Sequence, residues 1–352
     1  MGAEKMQKDN SDKIGFEKKF FSHSEFATST VIGAVLLLGI ISSALTIVYV
    51  GCVPEWKNDA EYSHMGDVCE DMAEVKSKID MMSIILASNP DFSYSNSLNP
   101  SSSAPQLIMS VPFNMGGGDL PLVGSIKSSG TLAVNKDNCK IGIVATVVTP
   151  NGSTSRSQLI NCGTITYNSQ NNYYVDQAFS YENGAIILNQ NQVPGQEDQS
   201  VMMLYPSIRI SKALDDNSTA TKYNFTINNI RIFQPYVPPK VISSNRGCSL
   251  RLIGINYRDY REYRSLYEIN ETVGENLSRL ELTVWTEHPA AWEQYFKKIT
   301  KDANIDSLDY DLECPPDVPF VRLTFPQTNT KGLKGLYVSE TVIKAEPGIG
   351  LN

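Results

Sequence analysis

Histidine is scarce in this chain: 352 residues contain only His23, His64 and His288. None belongs to a His-Glu-x-x-His zinc motif, and no Gly-x-Ser-x-Gly nucleophile elbow occurs. Six cysteines form no Cys-x-x-Cys pair, which removes the usual spacing of zinc and thioredoxin-type sites. Positive charge is also short, with 30 Lys+Arg against 38 Asp+Glu and a net charge of −8. That excludes nucleic acid as a main partner, because phosphate binding needs a basic patch. Met115-Gly-Gly-Gly-Asp119 has no Lys-Ser/Thr after it and reads as a turn rather than a phosphate loop. Asp306, Asp309, Asp311 and Glu313 lack the spacing and glycine of a calcium loop and read as a solvated acidic loop. No catalytic, cofactor or metal residues are therefore assigned, and a non-enzymatic role is expected.

What the chain does have is a long uncharged stretch. Val31 to Val50 carries no charge, and Ser42, Ser43 and Thr46 are its strongly polar residues. A helix of this length spans about 30 Å, the thickness of a bilayer's hydrocarbon core. A buried core helix would rarely be so long without a charge. A cleaved secretory signal would have a shorter leader and a shorter apolar run. The leader holds Lys5, Lys8, Lys13, Lys18 and Lys19, whereas Gly51 to Asp80 holds Lys57, Lys76 and Lys78 beside eight acids. This bias predicts a cytoplasmic N-terminus and an extracellular bulk, with membrane lipid as the first partner.

Ala27-Thr28-Ser29-Thr30-Val31-Ile32-Gly33, running into Ala34-Val35-Leu36-Leu37-Leu38-Gly39-Ile40, resembles the N-terminal segment of archaeal type IV pilin-like proteins. Pro54-Glu55-Trp56, Glu61 and His64-Met65 are similar to archaeal surface proteins with such an anchor. Weaker echoes lie in Tyr181-Glu182-Asn183-Gly184-Ala185 and Trp292-Glu293-Gln294-Tyr295-Phe296. The strong part covers roughly residues 26–90. The resemblance implies a membrane-anchored surface protein, structural or adhesive, in which the same helix either anchors or packs in a filament. Val31, Gly33, Leu37 and Gly39 are the candidate helix-packing residues, the glycines permitting close approach. One departure bears on processing: Glu25-Phe26 precede Ala27, where a prepilin usually has a basic and a small residue.

Beyond the anchor the expected organisation is a cytoplasmic leader (1–30), a transmembrane helix (31–53), an amphipathic stalk helix (54–89), a linker (90–105) and a β-rich extracellular domain (106–352). Met65, Val68, Met72, Val75, Ile79, Met82 and Leu86 recur at alternating spacings of three and four, the pattern of a buried helix stripe. Two readings fit it: docking on the chain's own domain, or self-association between copies. From Gln106 onward, short β-branched runs separated by turn residues point to an antiparallel β-sandwich. Strands are expected at 141–148, 159–166, 173–179, 185–189, 202–210, 222–233, 249–255, 279–285, 320–325 and 335–345, with a helix at 289–300. Pro235, Pro238 and Pro239 suggest a subdivision near 235–245. The fold class is thus α+β, mainly β: one long transmembrane and stalk helix followed by a sandwich.

Several residues remain as candidates outside this frame. Cys139 and Cys162 flank an expected hairpin and are a disulfide candidate, as, less directly, are Cys248 and Cys314; buried free thiols are the alternative. Cys52 and Cys69 are positioned to link neighbouring stalks. Asn151, Asn217, Asn224, Asn270 and Asn276 sit in glycosylation sequons, although chance alone would supply roughly four. Tyr257, Tyr260, Tyr263 and Tyr267 interleave with Arg258, Arg261 and Arg264. Aromatic and guanidinium groups together suit sugar or protein surfaces. A membrane-tethered glycan or ligand receptor is therefore the second reading of the whole chain, with surface glycans or other surface proteins as partners.

Overall fold

The computed structural model describes residues 17–89, 106–120, 123–190, 199–213, 221–233, 238–260, 276–316, 318–326 and 331–349. The leader before 17, the linker 90–105, Asn217, Asn270, Tyr263 and Tyr267 lie outside the described residues. The chain divides into two compact units, residues 1–58 and 59–352.

In the first unit, α1 runs over Glu17–Ile47 and continues through a π-helical turn, Val48–Cys52, into α2 (Val53–Ser88). The π turn has a local cause. Pro54 has no N–H to offer a carbonyl one turn back, and its ring crowds that turn. A wider turn just before it, with the Val53 N–H donating to the Val48 carbonyl, relieves both problems.

The second unit contains most of α2 and all the strands. They are β1 (Ile108–Phe113), β2 (Asp119–Leu120), β3 (Gly124–Ser125), β4 (Ser129–Val134), β5 (Lys140–Thr149), β6 (Gly152–Asn161), β7 (Thr164–Gln170), β8 (Gln177–Glu182) and β9 (Ala185–Gln190). Next come β10 (Val201–Leu204), β11 (Ile208–Lys212), β12 (Thr221–Phe233), β13 (Lys240–Ser244), β14 (Cys248–Asp259) and β15 (Asn276–Trp285). The helix α3 (Pro289–Asp302) precedes β16 (Asp311–Glu313), β17 (Phe320–Phe325) and β18 (Lys331–Ile349). The sheet orders are β1-β14-β18-β12-β11, β10-β9-β8-β7-β4-β13 and β16-β17-β15-β5-β6, with β2-β3 as a small ribbon. A long apolar helix followed by a mainly β domain is the expected class.

Strand pairing crosses the expected subdivision near 235–245: β12 and β5, before it, pair with β18 and β15, after it. The pairing is also not uniformly antiparallel, because β12 and β18 run parallel over the whole length of β12. Smaller differences are local. The 159–166 run breaks at Cys162-Gly163, where Gly163 takes a positive φ of 68°. The 202–210 run breaks at Tyr205-Pro206, since a proline cannot complete a strand ladder.

Two apolar cores share the β12–β18 pair. Tyr223, Phe225 and Ile227 of β12, with Leu336 and Val338 of β18, enter the first core alongside β5, β15, β17 and α3. Ile230 and Ile232, with Ile343 and Ala345, enter the second, alongside α2, β1, β4, β7, β8 and β14. Because strand side chains alternate, the change from odd to even positions along β12 means that the cores lie on opposite faces of one sheet. Buried polar residues mark the changeover. Asn229 Nδ2 donates to the Ser339 carbonyl at 3.2 Å, and the Tyr260 hydroxyl donates to Glu340 Oε2 at 2.6 Å.

Candidate functional site

The candidate functional element is the apolar helix. From Ser29 it is long and apolar enough to cross a membrane, and none of its apolar window is buried within the chain. Two of its polar side chains bond within the helix: Ser43 Oγ donates to the Ile40 carbonyl and Thr46 Oγ1 to the Ser42 carbonyl, both at 2.8 Å. A helix in hydrocarbon needs this, because lipid offers no partners. The expected packing residues do not form one stripe. At roughly 100° per residue, Gly33 and Leu37 share one side, while Val31 and Gly39 share another. Each glycine leaves open space around it, as lipid or a second helix requires.

The stripe on α2 has the opposite fate. Met65, Val68, Met72, Val75, Ile79, Met82 and Leu86 are all at most 3% exposed. They lie against the β domain of their own chain, so of the two readings docking is the one realised. At 1.5–3 kcal/mol per buried apolar side chain, the stripe contributes roughly 10–20 kcal/mol of gross burial. Gly254 of β14 allows the close approach, since a Cβ there would stand 3.1 Å from Leu86 Cδ1.

Polar staples flank this seam. Glu61 is fully buried, and its carboxylate accepts the backbone N–H groups of Asn172, Tyr173 and Tyr174, at 2.7 Å from the last two. His64 Nε2 lies 3.3 Å from the Tyr167 hydroxyl. Burial holds the His64 ring below its ordinary pKa, against the pull of Asp67 and Glu61. Asp71 Oδ2 accepts the Asn114 N–H at 3.3 Å, yet burial, with Glu74, Asp67 and Glu70 nearby, pushes its carboxyl up to about 6.

A second polar cluster lies in the interior. Asn183 and Gly184, with φ of 47° and 84°, form the tight turn joining β8 to β9. This turn sets Glu182 fully buried beside α3. Glu182 Oε2 accepts from the Thr286 hydroxyl at 2.6 Å and from Trp292 Nε1 at 2.9 Å. His288 Nε2 stands 3.1 Å from Ser180 Oγ and 3.9 Å from Glu182 Oε1. Burial raises the Glu182 pKa, opposed by His288, Thr286 and Trp292. The Tyr181–Ala185 and Trp292–Phe296 segments, distant in sequence, thus meet through one hydrogen bond. Glu182 is enclosed, and the cluster holds the β8–β9 turn to α3.

No disulfide joins the six cysteines in this structure. Cys139 and Cys162 are both fully buried at the end of the β5–β6 hairpin, where the Cys162 N–H donates to the Cys139 carbonyl at 2.9 Å. The Cys162 thiol hydrogen-bonded to it, together with burial, pushes the Cys139 thiol well up. Cys248 and Cys314 are not partners: Cys248 belongs to the second core, whereas Cys314 packs on the first.

The expected tyrosine patch is also divided. Tyr257 lies opposite Thr341 in the β14–β18 register, on the face that α2 partly covers. Tyr260, three residues on, turns to the other face and is buried, accepting from Gln158 Nε2 at 3.3 Å as it donates to Glu340. In a strand, an interval of three residues always changes face. Among the sequons, Asn151 is exposed in the β5–β6 turn, Asn276 is exposed at the start of β15, and Asn224 is half-buried within β12. In the acidic loop, Asp309 is buried and Glu313 pairs with Arg322 at 2.9 Å. No group of metal-ligating side chains occurs among the described residues. No protein family, curated protein or solved structure matches the chain.

Proposed function

We propose that this chain is a single-pass, non-enzymatic surface protein of a type IV pilin-like kind, N-terminus inside, with a structural or adhesive β domain outside. The observation that carries the reading is a division of labour along consecutive helices. The apolar stripe of α2, Met65 to Leu86, is buried against the β domain, whereas the large apolar side chains between Val31 and Val50 are exposed among the described residues. An exposed apolar surface of that extent is compatible with lipid or with another helix, and not with water.

Protease treatment of intact cells tests the orientation. A C-terminal tag should be lost while an N-terminal tag stays protected; the reverse result rejects the topology. N-terminal sequencing tests the filament version. Chains starting near Ala27 in sheared filaments support it, and intact leaders on all surface copies leave only the anchor.

A further inference from the structure

The sheet β16-β17-β15-β5-β6 turns Ile141, Ile143, Leu282 and Val284 into the first core. Strand side chains alternate, so Lys140, Gly142 and Trp285 belong to its other face. Trp285 stands opposite Lys140, and Gly142 stands opposite Leu159 of β6. Gly142 is therefore diagonal to Trp285. A Cβ on this glycine would meet Trp285 Cζ3 at 2.8 Å and Cη2 at 2.9 Å. The indole thus leans from β15 across β5, over the glycine, instead of standing off the sheet, and it remains half-buried. Any side chain at position 142 would displace it.

Trp285, Leu159 and Pro319 give a pocket of about 330 Å³ its apolar lining. Leu159 is 62% exposed, so this apolar surface is not spent on the core. Asn138, Lys140 and Glu287 supply the polar part of the lining. Among the described residues, neither Lys140 nor Glu287 forms an ion pair, and the Asn138 side chain makes no hydrogen bond. Thr286, the remaining lining residue, is committed to Glu182.

We propose that this pocket binds a neutral saccharide. A purely apolar ligand would strip water from Lys140, Asn138 and Glu287 without replacing its hydrogen bonds. An ion would meet one like charge, because Lys140 and Glu287 carry opposite signs. A proline-rich peptide lies well on an indole, but its carbonyls only accept and leave Glu287 unanswered. A pyranose meets every demand. Its apolar C–H face stacks on the aromatic ring, and its hydroxyls both donate, to Glu287, and accept, from Lys140 and Asn138. The volume lies at the small end of ligand sites, roughly 300–1,000 Å³, which suits a short oligosaccharide or the end of a longer chain. The proposal names the ligand class of the adhesive reading and rests on that reading only for where the sugar is met. Binding to purified protein and protease accessibility on cells are separate measurements, so either can fail alone.

The test uses full-length protein made in bacteria without glycosylation and held in a detergent lacking sugar head groups, so that any signal reports an added saccharide. Neutral oligosaccharides of glucose, mannose, galactose and N-acetylglucosamine are titrated in turn, with saturation-transfer NMR as the readout and a polyproline peptide as competitor. At least one saccharide should bind, and the peptide should not displace it. Trp285→Ala should weaken binding tenfold or more. Gly142→Ala keeps every lining side chain and only displaces the ring, so a severalfold loss there, at unchanged melting temperature, ties binding to the indole even where Trp285→Ala fails to fold. Glu287→Gln should also weaken binding severalfold. Absence of binding by every saccharide, displacement by the peptide, or full binding by Gly142→Ala or by a folded Trp285→Ala variant overturns the proposal.

Discussion

Glu61 shows how a single side chain ties a helix to a sheet. Its carboxylate answers three consecutive N–H groups of the turn between β7 and β8. Glu61→Ala would remove the charge-assisted hydrogen bonds that hold this turn to α2, at a cost of about 2–4 kcal/mol; chemical denaturation of the purified protein measures it. Asp71 acts in the opposite sense. Its folded pKa, about 6, lies above the ordinary carboxylate value of 3.8. The folded state then holds the proton more tightly than the unfolded state, so this group's contribution falls as pH rises from about 4 to 6. Asp71→Asn should remove that fall and stabilise the protein at pH 7.5 by about 1 kcal/mol, a modest figure because half of the group still meets solvent. His64 runs counter to Asp71. Its lowered pKa means that the unfolded state takes the proton first, so stability drops as pH falls through 6.5. Melting temperature against pH, for the wild type and for His64→Phe, should separate the two.

At the scale of elements, α2 decides how the chain is assembled. Its stripe carries Met, Val, Ile and Leu at a spacing that serves a coiled coil and a docked helix equally well. The β domain settles the choice by presenting a matching face on β1, β14 and β7. Ile79→Ala should therefore cost roughly 2–5 kcal/mol in unimolecular unfolding, independent of protein concentration. A concentration-dependent loss would indicate contacts between copies instead. The hairpin β5–β6 carries a second prediction. With both thiols of Cys139 and Cys162 in contact, an oxidising exterior should join them. The denatured, unreduced protein from cell surfaces should then resist alkylation at both positions, and full alkylation of both would place the domain in a reducing compartment.

For the whole molecule, the informative feature is the pair of cores on opposite faces of one sheet. Composition showed that a core was possible and alternation marked β5, β12 and β15, whose β-branched runs are plain in the sequence. The polar part of β6, from Gly152 to Gln158, gave no such signal, because it is largely exposed and carries no apolar face. The apolar helix was legible because its character is compositional: twenty residues without a charge are long and apolar enough to cross a hydrocarbon core. The interior polar cluster was not legible in this way. Glu182, Thr286, His288 and Trp292 are unremarkable where they stand in the chain, and they become a unit only when the β8–β9 turn meets α3.

The sequence by itself determined what depends on neighbours along the chain: the apolar helix, the periodicity of α2, most strands, and the turn at Asn151-Gly152. Tertiary structure alone decided what depends on which surface meets which. It spent the α2 stripe on the chain's own domain, paired β12 with β18 in parallel, and kept Cys248 from Cys314. It also sent Tyr257 and Tyr260 to opposite faces. Periodicity says that a face is apolar or polar, and packing free energy, summed over contacts far apart in sequence, selects its partner.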